Sequence, residues 1–343
     1  MTPREEFSRQ FKRFLDRYDR FVLSGHVRPD GDAVGACAAL IYALQNMGKE
    51  AVLMTDGDPS RYTSVLEPFS LVPETVPVEE AGSCFTTGSS FAFIMLDCSE
   101  PDRTGRAAGG ILAASASMSI DHHVTSTETA DFNYCEPETS SASQILYGLL
   151  KLTGITITPA MANALFMGVA YDTGGFRHNN AAPESFAMAA ELRALGADSS
   201  FMMNYLFHSV SLKESKVFAA AVEKSHLTKE GILICAMDGG DFARLGAGPK
   251  SADGVVGRLT EIQEAKVVCY LREIEDGIIR VNMRSKCEVN VARIAALYGG
   301  GGHVLAAGCT IKEPMLLAKQ AITEAVRRQM QQLQDDQITE EED

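Results

Sequence analysis

Short apolar runs along this chain end on carboxylates or imidazoles. Phe21-Val22-Leu23-Ser24 leads into Gly25-His26-Val27-Arg28-Pro29-Asp30-Gly31-Asp32, and Met118-Ser119-Ile120 leads into Asp121-His122-His123. Phe91 to Leu96 runs straight into Asp97, and Ala164 to Tyr171 ends at Asp172. In an open parallel sheet the carboxyl ends of the strands share one edge, where ligands and catalytic groups gather. Other elements follow from spacing. Residues 4–20 place Phe7, Phe11, Leu15 and Tyr18 on one side of a helix. Ala33 to Met47 is rich in Ala and Leu and stops at Gly48, a helix with glycine just past its end. Strand 51–54 completes a strand-helix-strand unit, the sign of a parallel sheet. Residues 56–90, with Pro59, Pro68, Pro73 and Pro77, read as irregular. A short helix is expected within 105–116 and a serine-capped one over 140–152. Pro159 to Tyr171 is apolar nearly all round, which predicts a buried helix.

The pattern then changes. From Pro183 to Ser225 it is helical and free of strand signals, interrupted by Gly196-Ala197-Asp198 and Ser209-Val210-Ser211. Strands are expected over 231–237, 266–271 and 278–283, with Asp276-Gly277 as a tight hairpin turn. A helix from Val289 to Tyr298 runs into Gly299-Gly300-Gly301-Gly302-His303, and a final helix covers Pro314 to Leu333. The last residues, 335–343, hold six acids and no bases and read as a frayed, solvated tail.

Composition narrows the class. A chain of 343 residues, 45% hydrophobic, is long enough for about two domains. It shows no apolar run of membrane-spanning length and no secretory signal at Met1 to Glu6, so a cytoplasmic location is expected. A net charge of −14 argues against coating long nucleic acid, which needs a broad basic surface. A local cluster of metal, Arg and His can still hold a few phosphates. Eight cysteines without CxxC spacing read as buried thiols. Cys98, beside Asp97, is the one closest to the candidate chemistry.

Asp and His with no Cys among them are ligands for a divalent cation of the manganese or magnesium type. His26, Asp30 and Asp32 fall within seven residues, with Gly25 and Gly31 allowing sharp turns. Alone, that stretch fits equally well a polar turn in which Asp32 caps the helix from Ala33. Asp97, Asp121-His122-His123 and Asp172, at comparable chain positions, favour the metal reading. In the second half, the glycine run can bring backbone N–H groups to an anion. Arg284 is a plausible fork for a phosphate. Arg258 reads either as a substrate contact or as a solvated helix residue, and Asn290 either as a contact or as a helix cap. His178 reads as a surface loop residue with no nameable partner.

The motifs Gly25 to Asp32, Asp97 with Asp102-Arg103-Thr104-Gly105, Asp121-His122-His123, Asp172-Thr173-Gly174-Gly175-Phe176-Arg177, Arg284-Ser285 and Gly299 to Gly308 resemble those of the DHH phosphoesterases. The resemblance is to the DHH/DHHA1 subgroup and covers nearly the whole chain. Length places it nearest the nanoRNase/pAp phosphatase group; RecJ-like exonucleases are typically longer. The resemblance implies an α/β fold: a parallel-sheet DHH catalytic domain over 1–182 with helices on both faces, a helical connector over 183–225, a smaller α/β DHHA1 substrate-binding domain over 226–334 and an acidic tail over 335–343. It further implies two manganese ions, with magnesium or cobalt as alternatives. One would be held by His26, Asp30 and Asp97, the other by Asp32, Asp97, His122 and Asp172. His123 would contact the scissile phosphate and Asp121 would orient a ligand imidazole. Arg284, Ser285, Gly300, Gly301, Gly302 and His303, with Arg258 and Asn290, would hold substrate.

The implied partners are short RNA or DNA oligonucleotides or small nucleotides, with no long nucleic acid and no membrane. A homodimer is compatible with the sequence. The expected reaction is hydrolysis of very short oligonucleotides to mononucleotides, or of 3′-phosphoadenosine 5′-phosphate (pAp) to AMP and phosphate. Alternatives are a phosphodiesterase for cyclic or linear dinucleotides such as pApA or pGpG, a pyrophosphatase, and a nucleotide-binding regulator without activity. The glycine-rich second half argues against the pyrophosphatase. No expected ligand position is vacant, which argues against the inactive regulator.

Overall fold

The computed structural model describes residues 2–78 and 90–342. They form two compact units, Met1–Ser209 and Val210–Asp343. Thr2 and Glu5 close a capping box at the start of α1 (Pro3–Arg17), which buries Phe7, Phe11, Phe14 and Leu15. Then come β1 (Arg20–Ser24), α2 (Gly31–Asn46), β2 (Glu50–Thr55), α3 (Ser60–Leu66), β3 (Thr75–Pro77), β4 (Ala92–Leu96), α4 (Ala108–Ala113), β5 (Ala116–Asp121) and β6 (Phe132–Cys135). Helices α5 (Ala142–Leu152), α6 (Pro159–Asp172), α7 (Pro183–Ala194) and α8 (Ser199–His208) complete the first unit.

Its sheet runs β3-β2-β1-β4-β5-β6, and every neighbouring pair is parallel. The strand order turns back on itself between β1 and β4. In open α/β sheets the crevice beyond the carboxyl ends at such a switch point binds ligands. Alternate strand residues face opposite sides. Phe21, Leu23, Ile94 and Leu96 pack with α1, α2, α5 and α6. Val22, Phe93 and Met95 pack on the other side with Met54, Cys98, Ala107 and Ile111 of α4.

Two features depart from the sequence reading. The 56–90 stretch contains α3 and β3, while residues 79–89 lie outside those described. Strand β6 was not expected; it is short, and it gains its place from polar pairing. Asp131 accepts from the Ser117 N–H at 2.8 Å, and Ser119 donates to Asn133 at 2.9 Å. The fourth apolar run lies within α6, the buried helix expected over Pro159 to Tyr171, and Asp172 is the last residue of that helix.

Helices α2 and α6 cross closely because glycines face each other there. A Cβ on Gly35 would lie 2.5 Å from Ala164 O, and one on Gly168 would overlap Ser143 Oγ and reach Asp32 Oδ1 at 2.5 Å. This crossing sets the separation between Asp32 on α2 and Asp172 on α6.

The second unit begins with α9 (Leu212–Lys224), β7 (His226–Leu227), β8 (Ile232–Met237), α10 (Gly239–Arg244), α11 (Val255–Thr260) and β9 (Val267–Glu275). It continues with β10 (Ile278–Ser285), α12 (Val291–Ala296), β11 (Gly301–His303), β12 (Ala306–Ile311) and α13 (Met315–Glu342). The sheet order is β11-β12-β10-β9-β8-β7; β8 and β9 are parallel and the other pairs antiparallel. The boundary between units falls within the 183–225 segment. Met188, Leu192 and Met202 join the first core, whereas Val217 and Ala221 join the second. Helix α13 runs past Leu333 to Glu342, because no Gly or Pro interrupts it. Among the described residues no helix is long and apolar enough to cross a membrane.

Candidate metal centre

The loop after β1 and the residue after β4 meet at the switch point. His26 follows Ser24-Gly25, and Val27 N donates to Arg103 O in the turn that carries Asp102 to Gly105. Asp30 caps α2 by accepting the N–H groups of Asp32 and Ala33 at 3.0 and 3.2 Å. The cap is therefore Asp30 and not Asp32, because Asp32 already lies within the first turn. Asp97 has φ +62°, a strained value for a non-glycine residue, and is 2% exposed.

These elements bring the expected residues together. His26 Nε2 lies 3.5 Å from Asp30 Oδ2 and 3.4 Å from Asp97 Oδ2. His122 Nε2 lies 3.2 Å from Asp97 Oδ1 and 3.1 Å from Asp172 Oδ2. Ligand atoms of His26, Asp30 and Asp97 lie within 4.8 Å of one another, as do those of Asp32, Asp97, His122 and Asp172. Asp97 belongs to both groups.

Each imidazole is held by its other nitrogen. His26 Nδ1 is 3.0 Å from Val27 O, and His122 Nδ1 is 3.3 Å from Thr139 O. Both therefore turn Nε2 inward, as hydrogen-bonded ligand histidines do. Asp121 is bound differently from expectation. Its Oδ1 accepts from His123 Nδ1 at 2.7 Å and from His122 N at 2.8 Å. The imidazole it orients is thus that of His123, while a backbone carbonyl holds that of His122.

Charge is crowded here. Asp32 is fully buried, and its carboxyl is lifted well above the ordinary range by burial and by repulsion from Asp172 and Asp97. Burial and the charges of Asp97 and Asp30 push Asp172 up to about 6, against the opposing pull of His122. Burial would lower the two histidines. Asp30 and Asp97 nevertheless raise His26 to about 10, and Asp172 and Asp97 raise His122 to about 11. Asp97 is itself held below the usual range, because His122 and His26 outweigh its burial. Cys98 is buried, and its thiol is pushed up by burial and Asp97, which disfavours the thiolate form.

The second unit sorts its candidates less kindly. Arg284 is half-buried, donates only to Met283 O at 3.0 Å, and has no acidic partner among the described residues. Burial lowers its pKa. Ser285 points to the other face of β10, as alternation requires, and its hydroxyl donates to Cys287 O at 2.9 Å. Arg258 stacks 3.6 Å over the Phe218 ring. Asn290 caps α12, accepting from Arg293 N at 3.1 Å. The glycine run is not an open nest. Gly299 N and Gly300 N donate to Ala296 O and Ala295 O at 3.1 and 2.9 Å, ending α12. Gly301, Gly302 and His303 pair with β12, and the His303 side chain lies outside the described residues. His178 is exposed, with Nδ1 3.3 Å from Asp172 O.

Comparison with known proteins decides the family. The DHH family N-terminal domain matches residues 20–169 and the DHHA1 domain matches residues 231–332. A "Bifunctional oligoribonuclease and PAP phosphatase NrnA" from Thermus thermophilus is 30% identical over 313 residues, covering 90% of this chain and 89% of the relative. A Bacillus subtilis protein of the same description is 28% identical, covering 87% and 91%. An exopolyphosphatase-related protein from Bacteroides fragilis superposes with a TM-score of 0.86 at 21% identity, covering 94% and 96%. The chain belongs to the DHH phosphoesterase family.

As a DHH/DHHA1 protein it is a phosphodiesterase or phosphatase, and its donor set fits divalent cations. Among the described residues Asp121 Oδ2 is buried without a hydrogen-bond partner, and Asp97 Oδ1 is buried with His122 Nε2 at 3.2 Å but without a well-aligned hydrogen bond. Four carboxylates and two imidazoles converge with their lone-pair-bearing atoms inward. Such crowding is costly unless positive charge is added. Sequence reasoning missed what holds the set in place. Asp32 accepts the N–H groups of Ala142 and Ser143 at 2.7 and 3.0 Å, and Thr139 contributes only a carbonyl. Backbone groups leave no residue-type signal. The serine cap at Ser141 was the one visible hint that a helix N-terminus lay here.

Proposed function

We propose that this DHH enzyme hydrolyses very short oligonucleotides to mononucleotides, and pAp to AMP and phosphate. The observation that carries the reading is Asp97, shared between two ligand groups beneath the switch point. The similarity to proteins described as bifunctional oligoribonuclease and PAP phosphatase supports the substrate class. The net charge of −14 favours short substrates over long strands.

His26, Asp30 and Asp97 would hold one manganese ion, and Asp32, Asp97, His122 and Asp172 a second. Such a pair would activate water as the nucleophile and neutralise charge on the phosphoryl group. Asp121 fixes His123 through Nδ1, which leaves His123 Nε2 free to meet a phosphoryl oxygen. Arg284, with no acidic partner among the described residues, receives a substrate phosphate, with the β11 glycines and the adjoining His303 contributing to the same recognition.

The test is a substrate panel in manganese buffer: pAp, pApA, pGpG, cyclic di-AMP, and RNA and DNA from dinucleotides to long oligomers. Turnover concentrated on pAp and the shortest oligomers is expected. Preference for the cyclic dinucleotide would keep the metal centre and overturn the substrate assignment. No hydrolysis with metal bound would overturn the catalytic reading.

A further inference from the structure

One short segment touches two of the six candidate ligands and reaches a third through Asn180. It runs from Glu136 to Ser143, between β6 and the first turn of α5. Thr139 O receives His122 Nδ1 at 3.3 Å. The N–H groups of Ala142 and Ser143 bind the two oxygens of Asp32 at 2.7 and 3.0 Å. Asn180 Nδ2 bridges Ser140 O at 3.3 Å and Asp172 O at 3.2 Å. The orientation of His122 and Asp32, and the backbone position of Asp172, therefore depend on where this segment sits.

What holds the segment is Glu136. Arg4 Nε donates to its Oε1 at 2.8 Å, and Arg4 Nη2 donates to Oε2, which makes a two-pronged ion pair. The Tyr134 hydroxyl donates to Oε1, and Thr139 Oγ1 donates to Oε2 at 2.8 Å. Glu136 N donates to Asp121 O at 3.1 Å, and Thr139 N donates to Glu136 O at 3.0 Å. One carboxylate is thus saturated by α1, by β6 and by the residue whose carbonyl faces His122. The clamp has a built seat. A Cβ on Gly148 of α5 would lie 2.9 Å from Arg4 Nη1 and 3.1 Å from Arg4 Cδ, so a glycine leaves room for the guanidinium. Tyr134 is itself stacked on Phe7 of α1, with centroids 4.5 Å apart. Neither Arg4 nor Glu136 is among the six candidate ligands.

We propose that Glu136, gripped by Arg4, is a positioning residue that fixes the 136–143 segment and through it aims His122 and Asp32 at the metal ions. The proposal rests on the metal reading of the centre above. Its physical basis is that a ligand imidazole binds well only when its second nitrogen is anchored, and that anchor is as precise as the backbone that carries it. With Glu136 loosened, Thr139 O is free to drift, and His122 loses the partner that turns its Nε2 toward the ligand cluster.

The experiment is manganese titration calorimetry on the full chain, with melting curves of the metal-free protein and kcat and KM on pAp. The variants are Glu136→Gln, Arg4→Met, Arg4→Lys and Gly148→Ala. Manganese affinity is expected to fall by about 10- to 100-fold in Glu136→Gln and Arg4→Met. Arg4→Lys recovers part of that loss, since it restores charge without the fork. KM stays near the parent's at saturating manganese. Gly148→Ala separates positioning from folding. Alanine favours the α5 helix, so its metal-free melting temperature should not fall, yet the added Cβ displaces Arg4 and weakens manganese binding. Unchanged manganese affinity in Glu136→Gln and Arg4→Met, with only the melting temperature lowered, overturns the positioning role. A parent protein that binds no manganese overturns the metal reading itself, and this proposal with it.

Discussion

Asp97 shows how one residue can serve several demands. It sits at φ +62° directly after β4, its N–H donates to Ile120 O at 3.0 Å, and its carboxylate faces both His26 and His122. Strain at such a position persists only where the surroundings enforce it. Asparagine tolerates the left-handed region better than most residues, so Asp97→Asn keeps the backbone and removes only the charge. We expect it to lower kcat by more than the roughly 100-fold that losing a partner around a metal ligand costs, with circular dichroism unchanged. A variant with near-parent turnover sinks the shared role of Asp97. At this scale the sequence announced side chains well. Asp97, His122 and Asp172 could be named from where apolar runs stop. It could not announce partners. Asp121 lies beside both histidines in the chain, and only the fold shows that it holds His123. Ser285 follows Arg284, yet strand alternation sends it to the opposite face.

Elements place these residues through close contacts that glycine permits. Gly35 and Gly168 let α2 and α6 approach until Asp32 and Asp172 share one centre. In Gly168→Ala the helix gains about 1 kcal/mol of intrinsic propensity. The new Cβ meets Ser143 and Asp32, and overpacking of this kind costs about 1–3 kcal/mol. The expected net result is a lower melting temperature and weaker activity. Gly257 in α11 offers the control, because a Cβ there meets nothing within 4 Å. Gly257→Ala should leave stability unchanged or raise it by up to about 1 kcal/mol. Equal effects at the two positions would remove the crossing from the account. The sequence revealed the helices by their apolar content, but nothing in a Gly-to-Gly relation across more than a hundred residues marks a crossing. Strand β6 stayed hidden for a related reason: its pairing is secured by Asp131 and Asn133, residues that otherwise mark turns. The run of glycines before His303 was legible as special, and its use is in part structural, since two of its N–H groups end α12.

On the scale of the whole molecule, the six candidate ligands all belong to the first unit, Met1–Ser209, and none to the second. Each unit has its own buried clusters. A ligand that binds only the folded first unit stabilises that unit by mass action, by about 2.7 kcal/mol when its concentration is a hundred times its Kd. In a unit of about two hundred residues each kcal/mol moves Tm by about 2–4 °C. Manganese should therefore raise one calorimetric transition by about 5–10 °C and leave the other where it was. The size of the effect has a local cause. Burial and mutual repulsion raise the Asp32 and Asp172 carboxyls, Asp172 to about 6, so their charged forms are held at a cost that a bound cation offsets. Addition of a chelator should return the first transition to its metal-free position. Two transitions rising together would mean that the units unfold as one. No rise at saturating manganese would remove the cation from the centre and leave the crowding of carboxylates unexplained.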